Sequence, residues 1–363
     1  MLLRAESTVE LVEPADVLRK LCDRYIEHAT VDYGRDMARI VVSFGEAHLE
    51  ATPTSLKMVA QAPDETGLAY VKMGISTHLR MVATQSSPDI RWAGDGAVGV
   101  LPPFFRVMRV VTSRSITPHM QRVTLAGEDL ARYATGGLHM RLVFPPQGRT
   151  PVWPHMGEDG CPVWPQGEDQ LVLRVYTLRS VDAQAGTVDV DMVLHPGSET
   201  PGAYFAQTAR TGDLVGMSGP GGGSFPQAQR IILAGDETAL PAIARIVENA
   251  APDAAVTAFI EVDGAADEQQ IFCRGQLDLR WLHRNGAAAG TTGMLAAAVK
   301  DFTAGGLPED SFVWVGCEFE DFRAIRSYLR KELKLDRSRH MAVAYWRRGI
   351  AGDEARRGSR DAE

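Results

Sequence analysis

"RIILAGDETALPAIARIVENA", residues 230–250, passes from one kind of structure to another within a single stretch: the apolar run RIILAG reads as a strand and TALPAIARIVENA as a helix. The same pairing recurs downstream, where AVTAFIEV precedes TTGMLAAAVKDF and SFVWVGCE precedes EDFRAIRSYLRKELK, before the chain closes on MAVAYWRRG. Strand-helix alternation of this kind implies a parallel sheet with helices on its faces. An α/β domain is therefore expected over 229–349, followed by a charged, disordered tail at 350–363.

Upstream the period differs. Between 104 and 225 the segments RVMRVVTSRSI, MQRVTLAG, LHMRLVFP, LVLRVYTLR, TVDVDMVLH and DLVGMSG alternate and are separated by Gly, Pro and Asp, which predicts an antiparallel barrel or sandwich. The proline-rich stretch 145–170 interrupts them and reads as a long surface loop, mobile or lying over a site. Residues 1–95 read as a small α+β domain. Its first helix, after Pro14, carries Val17, Leu18, Leu21, Tyr25 and Ile26 with Asp16 as N-cap, and its second carries Leu68, Val71, Ile75, Leu79 and Val82. ARIVVSF, AHLEA and SLKMVAQA are its expected strands, and the Ser, Gly and Pro of SSPDIRWAGDGAVGVLPP mark a linker.

A chain of 363 residues exceeds the size at which one core keeps growing, which agrees with several domains. No apolar run is long enough to span a membrane, and the opening MLLRAESTVE meets charge too early for a secretion signal, so a cytoplasmic protein without membrane insertion is expected. The four cysteines, Cys22, Cys161, Cys273 and Cys317, are far apart and form no C-x-x-C, and the nine histidines are dispersed. No built-in metal site follows from that spacing, so redox chemistry requires a bound organic cofactor. The net charge of -8 argues against general nucleic-acid binding while leaving room for a local basic pocket.

Within the barrel region, LVLRVYTLRS at 171–180 sets Arg174, Tyr176, Thr177 and Arg179 in one strand. Arg174 and Tyr176 share one face and Thr177 and Arg179 the other, so one ligand meets all of them where the strand ends or bends. Guanidinium forks match phosphate oxygens, a tyrosine offers a flat face, and a threonine hydroxyl suits a ring nitrogen, a set that fits a nucleotide with a pyrophosphate. The competing reading is an exposed barrel strand with outward arginines.

The ordered set R-x-Y-T-x-R, VDVDMVLH, GDLVGMSGPGG, ILAGDETALPAIARIVE, FVWVGCE and RSYLRKELKLDRSRHMAVAYWRRG, from about 104 to 349, resembles the siderophore-interacting protein family of flavin-dependent ferric-siderophore reductases. The first 95 residues resemble a separate small domain of unknown function. The resemblance implies a ferredoxin-reductase-like pair, an antiparallel FAD-binding β-barrel at 104–225 and an NAD(P)H-binding parallel-sheet domain at 229–349. It implies that Arg174 holds the FAD pyrophosphate, Tyr176 lies against the isoalloxazine, Thr177 reaches the flavin N5 edge and Arg179 supports phosphate or loop. Asp191 and His195 would flank the flavin or its ribityl chain, with a strand-end histidine as the other reading of His195.

Where the family shows Gly-Pro-Ala-Ser and then Trp-Ala, this chain reads Pro201, Gly202, Ala203 and later Phe205, so backbone amides would receive the pyrophosphate without a serine hydroxyl. The glycine run Gly219–Gly223 is a hinge with close flavin approach or a phosphate turn. Gly235, Asp236, Glu237 and Thr238 sit between strand and helix, positioned for a dinucleotide phosphate from NADPH or NADH; Glu261 takes a ribose hydroxyl or is merely solvated. Gly316, Cys317 and Glu318 replace the family's Ala-Gly-Glu, the cysteine being either a narrowing of the nicotinamide slot or a small apolar filler. Tyr345 and Trp346 would line the same cleft, and Arg347 and Arg348 would attract an anionic ferric chelate. Arg323, Arg326 and Arg330 form a helix face that is solvated or anion-binding. No catalytic side chain is required: electrons pass from NAD(P)H through FAD to a ferric siderophore. A general flavin or ferric reductase, a ferredoxin-fed carrier and a non-catalytic binding protein are the alternatives.

Overall fold

The computed structural model describes residues 2–194, 200–223 and 225–350; His195 and the expected disordered tail beyond Ile350 lie outside the described residues. The chain divides into two compact units, Met1–Arg106 with Pro145–Leu171, and Val107–Phe144 with Val172–Glu363.

The first unit contains β1 (Leu3–Glu10), α1 (Pro14–Asp23), β2 (Thr30–Tyr33), β3 (Met37–Val42), β4 (Gly45–Ala51), β5 (Ser55–Ala62), α2 (Glu65–Val82) and the two-residue β6 (Ala93–Gly94). Its strands form one antiparallel sheet in the order β2-β3-β4-β5-β1-β6. Ala5, Val9, Leu49, Leu56 and Met58 point to one face, where Leu18 and Leu21 of α1 and Leu68, Ile75 and Leu79 of α2 cover them. β1 was not anticipated. Its inward positions are Ala5, Ser7 and Val9, too small and polar to announce a buried strand, although burial alternates along it without a break. α1 starts earlier than expected: Pro14 occupies the first turn, and Asp16 lies inside the helix, paired with Arg19 at 2.8 Å and Lys20 at 2.7 Å. A proline suits that first turn because it has no N–H to leave unsatisfied. The expected linker is partly ordered, since β6 pairs with β1 and the Trp92 indole donates to Ser76 Oγ at 3.0 Å.

The second unit opens with β7 (Phe105–Thr117), β8 (Met120–Ala126), α3 (Ala131–Thr135) and β9 (His139–Phe144). The chain then leaves it. Residues 145–171 join the first unit, where the short strands β10 (His155–Met156) and β11 (Pro162–Val163) pair as a hairpin. This excursion is held by Ser76 Oγ donating to Asp159 O at 2.7 Å, Trp92 N donating to Glu158 O at 2.9 Å, and an Arg80–Asp159 ion pair at 2.6 Å. Met156 is buried beside Ala69 and Phe104, and Trp153 and Trp164 flank Phe105. Of the two readings of this stretch, a loop that is mobile or one that lies over a site, the first is corrected: the prolines limit regular structure to the short β10–β11 hairpin, but the tryptophans and Met156 pack against the first unit.

Returning at β12 (Val172–Thr177), the chain adds β13 (Ser180–Asp182), β14 (Thr187–Val193), α4 (Pro201–Thr208) and β15 (Leu214–Gly221). These complete a seven-stranded antiparallel sheet in the order β12-β9-β15-β7-β8-β14-β13. Its edges meet, because Leu178 N donates to Leu138 O and Arg179 N to Asp189 O, both at 2.9 Å. Met108, Val123, Leu142, Val190 and Met217 fill the interior.

The rest of the unit is β16 (Arg230–Gly235), α5 (Leu240–Asn249), β17 (Ala255–Val262), β18 (Gln276–His283), α6 (Met294–Thr303), β19 (Ser311–Glu318), α7 (Phe319–Ser327) and β20 (His340–Trp346). All five strands are parallel, in the order β18-β17-β16-β19-β20. β18 is an addition to the expected set. As an edge strand it is only half-buried, and Asp278 and Arg280 pair with each other on its open side, which masks the pattern. Arg245 of α5 ties this sheet to the barrel, donating to Gly137 O at 2.9 Å, Ala134 O at 3.0 Å and Tyr133 O at 3.3 Å. Among the described residues no helix is long and apolar enough to cross a membrane.

Candidate active site

β12 is the edge strand of the barrel sheet, and every position from Val172 to Tyr176 is half-buried, as expected where one face is covered by protein and the other opens onto a cleft. Arg174 donates to the carbonyl of Leu173 at 2.7 Å and meets no carboxylate among the described residues. A half-buried guanidinium without a counter-ion is suited to an anionic ligand. Tyr176, on the same face, runs against the first turn of α4: a Cβ added at Gly202 would lie 1.6 Å from the Tyr176 hydroxyl. Only glycine permits that approach. Burial, slightly opposed by Arg174, pushes the Tyr176 phenol up to about 12, so the group stays protonated. Phe205, standing where the family has tryptophan, packs on Phe144 at 5.2 Å, and Phe144 meets Tyr176 edge-on.

At the start of α4, Thr200 Oγ1 accepts from Ala203 N at 3.3 Å, and Pro201 has no N–H. The Gly202 amide is thus the first-turn donor that remains for a phosphate oxygen, whereas Ala203 is capped by the chain itself. Thr177 is buried and pairs in register with His139 of β9. Arg179 and Asp191 are otherwise engaged. Arg179 pairs with Glu248 of α5 at 2.6 Å and stands 3.9 Å from Asp191, which is itself held by Arg122 at 2.6 and 2.8 Å. These four residues cross-link strands and α5; the sequence gives no sign of it because Glu248 comes from the next domain.

The cleft between β12 and α4 fits FAD: an arginine with no carboxylate on it, a helix start with an available amide, and a tyrosine closed over a glycine.

On the parallel sheet, the residues singled out in the sequence gather at the carboxyl ends of β16, β17, β19 and β20, the edge where such sheets bind ligands. Asp236 is the hub. Its Oδ1 accepts from Thr238 N at 3.0 Å and Thr238 Oγ1 at 2.5 Å, and its Oδ2 accepts from Glu318 N at 3.0 Å and Trp346 Nε1 at 2.8 Å. Burial first, and then the neighbouring Glu237, push the Asp236 carboxyl up to about 6. Glu318 caps α7 by accepting from Glu320 N at 2.5 Å and also accepts from Arg348 N at 3.0 Å. Glu237 is ion-paired to Arg284, and Glu261 is buried, accepting from Thr292 Oγ1 at 2.9 Å; the solvated reading of Glu261 is therefore corrected. Gly235 and Gly316 pack backbone to backbone, since a Cβ on Gly235 would lie 2.7 Å from Gly316 O. Cys317 is fully buried, and burial beside these carboxylates pushes its thiol well up, which makes it a small apolar filler.

Arg347 lies 4.4 Å over the Phe319 ring. Arg323 and Arg326 cover Phe319 and Phe322 in the same manner, and Arg330 donates to His340 Nε2 at 3.2 Å, so the basic helix face is occupied by its own neighbours. Sequence reading missed His139. Its Nε2 lies 2.6 Å from the Tyr345 hydroxyl, joining the barrel to β20 beside Thr177, and Gly222 leaves room for its ring, a Cβ there coming within 2.2 Å of Nδ1. Also unreadable in the sequence was the meeting of His119, Asp263 and Asp267, whose ligand atoms lie within 4.8 Å of one another; His119 Nδ1 stands 2.9 Å from Asp267 and links the β7–β8 turn to the parallel-sheet side.

A model described as "Siderophore-interacting FAD-binding domain" matches residues 109–224 and one described as "Siderophore-interacting protein" matches 228–349. The ferric vibriobactin reductase ViuB of Vibrio cholerae is 34% identical over 248 residues, which cover 67% of this chain and 90% of that protein. The chain belongs to the siderophore-interacting protein family. Two solved structures share the fold: a siderophore utilization protein from T. fusca (38% identity, TM-score 0.58, 70% of this chain and 97% of that one) and the siderophore-interacting protein SipS from Aeromonas hydrophila (30% identity, TM-score 0.58, 71% and 97%). Residues 6–93 of this siderophore-interacting protein match a domain described only as an uncharacterized protein conserved in bacteria.

Proposed function

We propose that this protein is a flavin-dependent reductase that passes electrons from NAD(P)H through FAD to ferric iron in a siderophore chelate, releasing ferrous iron. The observation that carries the reading is the β12–α4 cleft, where Arg174 faces no carboxylate and Tyr176 closes over Gly202. The 34% identity to a protein named ferric vibriobactin reductase supports the substrate class, as does a more distant likeness to the ferric acinetobactin reductase of Acinetobacter baumannii, 24% identical over 192 residues.

When bound, FAD supplies what side chains lack, acceptance of two electrons together and donation of one at a time. The protein's residues position and neutralise. Arg174 would balance diphosphate charge, the Gly202 amide would donate to a phosphate oxygen, Tyr176 would provide a protonated phenol and a flat wall, and Thr177 would offer its hydroxyl to the ring edge. At the carboxyl ends of the parallel strands Asp236 holds Trp346 and Thr238 in place, which would orient the wall that receives a dinucleotide. Arg347 and Arg348 attract an anionic chelate to the mouth. No general base is needed. One dinucleotide oxidised balances two ferric ions reduced, with one proton released.

The test is the visible spectrum of the purified protein, followed by anaerobic NADH or NADPH and then a ferric catecholate. A yellow protein bleached by the dinucleotide and recoloured by the chelate is expected. A colourless protein that takes up no FAD overturns the reading. A yellow protein bleached by reduced ferredoxin and by neither dinucleotide replaces the donor and leaves the rest standing.

A further inference from the structure

In doubly wound sheets that bind dinucleotides, an acidic residue near the end of the second strand suits the ribose 2′-hydroxyl of NAD and an arginine there suits the 2′-phosphate of NADP. Here the second strand, β17, ends in Glu261, and the arginine at that edge is Arg284, directly after β18. Arg284 is not open to a ligand. It is 9% exposed, its Nη2 donates to Glu237 Oε1, its Nε donates to Ala287 O at 3.3 Å, and its Nη1 stands 3.7 Å from Glu261 Oε1. Nη1 is buried and makes no hydrogen bond among the described residues. One guanidinium is thus shared by two buried carboxylates, and its charge is spent inside the protein.

The surroundings add further negative charge. Asp236 and Glu318 lie at the adjoining strand ends and Asp321 in the first turn of α7, and the carboxyls of Asp236 and Asp321 are pushed up to about 6, by burial first and by neighbouring carboxylates second. Glu261 is raised by burial too, with Asp321 and Glu237 contributing. On β18, Arg280 is paired with Asp278 at 2.6 Å and the His283 ring lies 2.8 Å from Glu268, so neither side chain is left for a phosphate.

Building on the dinucleotide reading above, we propose that the Glu237–Arg284–Glu261 cluster makes this protein select NADH over NADPH. A 2′-phosphate brings close to two negative charges at neutral pH. To receive it, Arg284 would have to leave Glu237 and Glu261 buried without their shared counter-cation, the kind of disruption that is strongly unfavourable for a buried pair. The dinucleotide lacking that phosphate makes no such demand.

The experiment is equilibrium titration of the FAD-loaded full-length protein with NAD+ and with NADP+ by calorimetry at pH 8. NAD+ is expected to bind at least tenfold tighter. In Glu237→Gln and Glu261→Gln, with folding checked by circular dichroism, Arg284 loses one competitor and the ratio is expected to narrow by at least threefold. NADP+ binding as tightly as NAD+ to the unaltered protein overturns the proposal, whatever the variants do. A ratio that survives unchanged in both folded variants overturns the assignment to this cluster. Binding of neither nucleotide overturns the dinucleotide reading itself, and this proposal with it.

Discussion

Gly202 is the position where one added methyl group does the most damage. Its missing Cβ is the space taken by the Tyr176 hydroxyl, so Gly202→Ala must push the ring off α4 or tilt the helix. Overpacking of this kind costs about 1–3 kcal/mol. The variant is expected to melt lower and to purify with a reduced flavin-to-protein absorbance ratio, while Ala203→Gly leaves that ratio near its original value. Asp321 offers a test of opposite sign. Its folded pKa near 6 exceeds its ordinary 3.8, so the folded chain binds this proton more tightly, and the stability it contributes below about pH 4 is lost as pH rises through 6. Asp321→Asn should therefore stabilise the protein at pH 7.5 by on the order of 1–2 kcal/mol and bring no gain at about pH 4. Urea melts at the two pH values check it. At this scale the sequence was informative about residue type and silent about pairing. Arg174 and Arg179 look alike in R-x-Y-T-x-R, yet only Arg179 has Glu248 and Asp191 to answer it, and His139 carries no motif around it.

Among the elements, α5 does more than cover the sheet. Its Arg245 is 5% exposed and supplies the donors for three carbonyls around the end of α3. Replacing it by methionine keeps the apolar stem over Phe225 and strands those carbonyls, at a cost of roughly 3 kcal/mol if the losses partly relax. Arg245→Met is expected to split thermal unfolding into two transitions, barrel and parallel sheet, in scanning calorimetry; a single transition of unchanged midpoint would show that α5 carries no such coupling. The parallel-sheet side was legible because its central strands are continuously apolar and its helices periodic. β1 and β18 escaped notice for related reasons, the first burying alanine and serine, the second lying at an edge with its charges paired across one face.

For the whole molecule, the decisive feature is the excursion at 145–171, which belongs to the first unit although barrel strands flank it on both sides. Deleting residues 1–103 removes the partners of Asp159, Glu158 and Met156 together. The truncated protein is expected to be cleaved by trypsin or chymotrypsin within 145–171 under conditions where the full chain is not, with mass spectrometry locating the cut; a second deletion that also shortens 145–171 to a tight turn should restore resistance. An intact excursion in the first truncation would show that it folds unaided. Because the polypeptide passes between the two units at 106/107, at 144/145 and again at 171/172, the small N-terminal body is sewn in and not strung on. A cut at 106/107 leaves residues 145–171 still joined at both ends to the second unit, so moving this body to another chain means moving that segment with it.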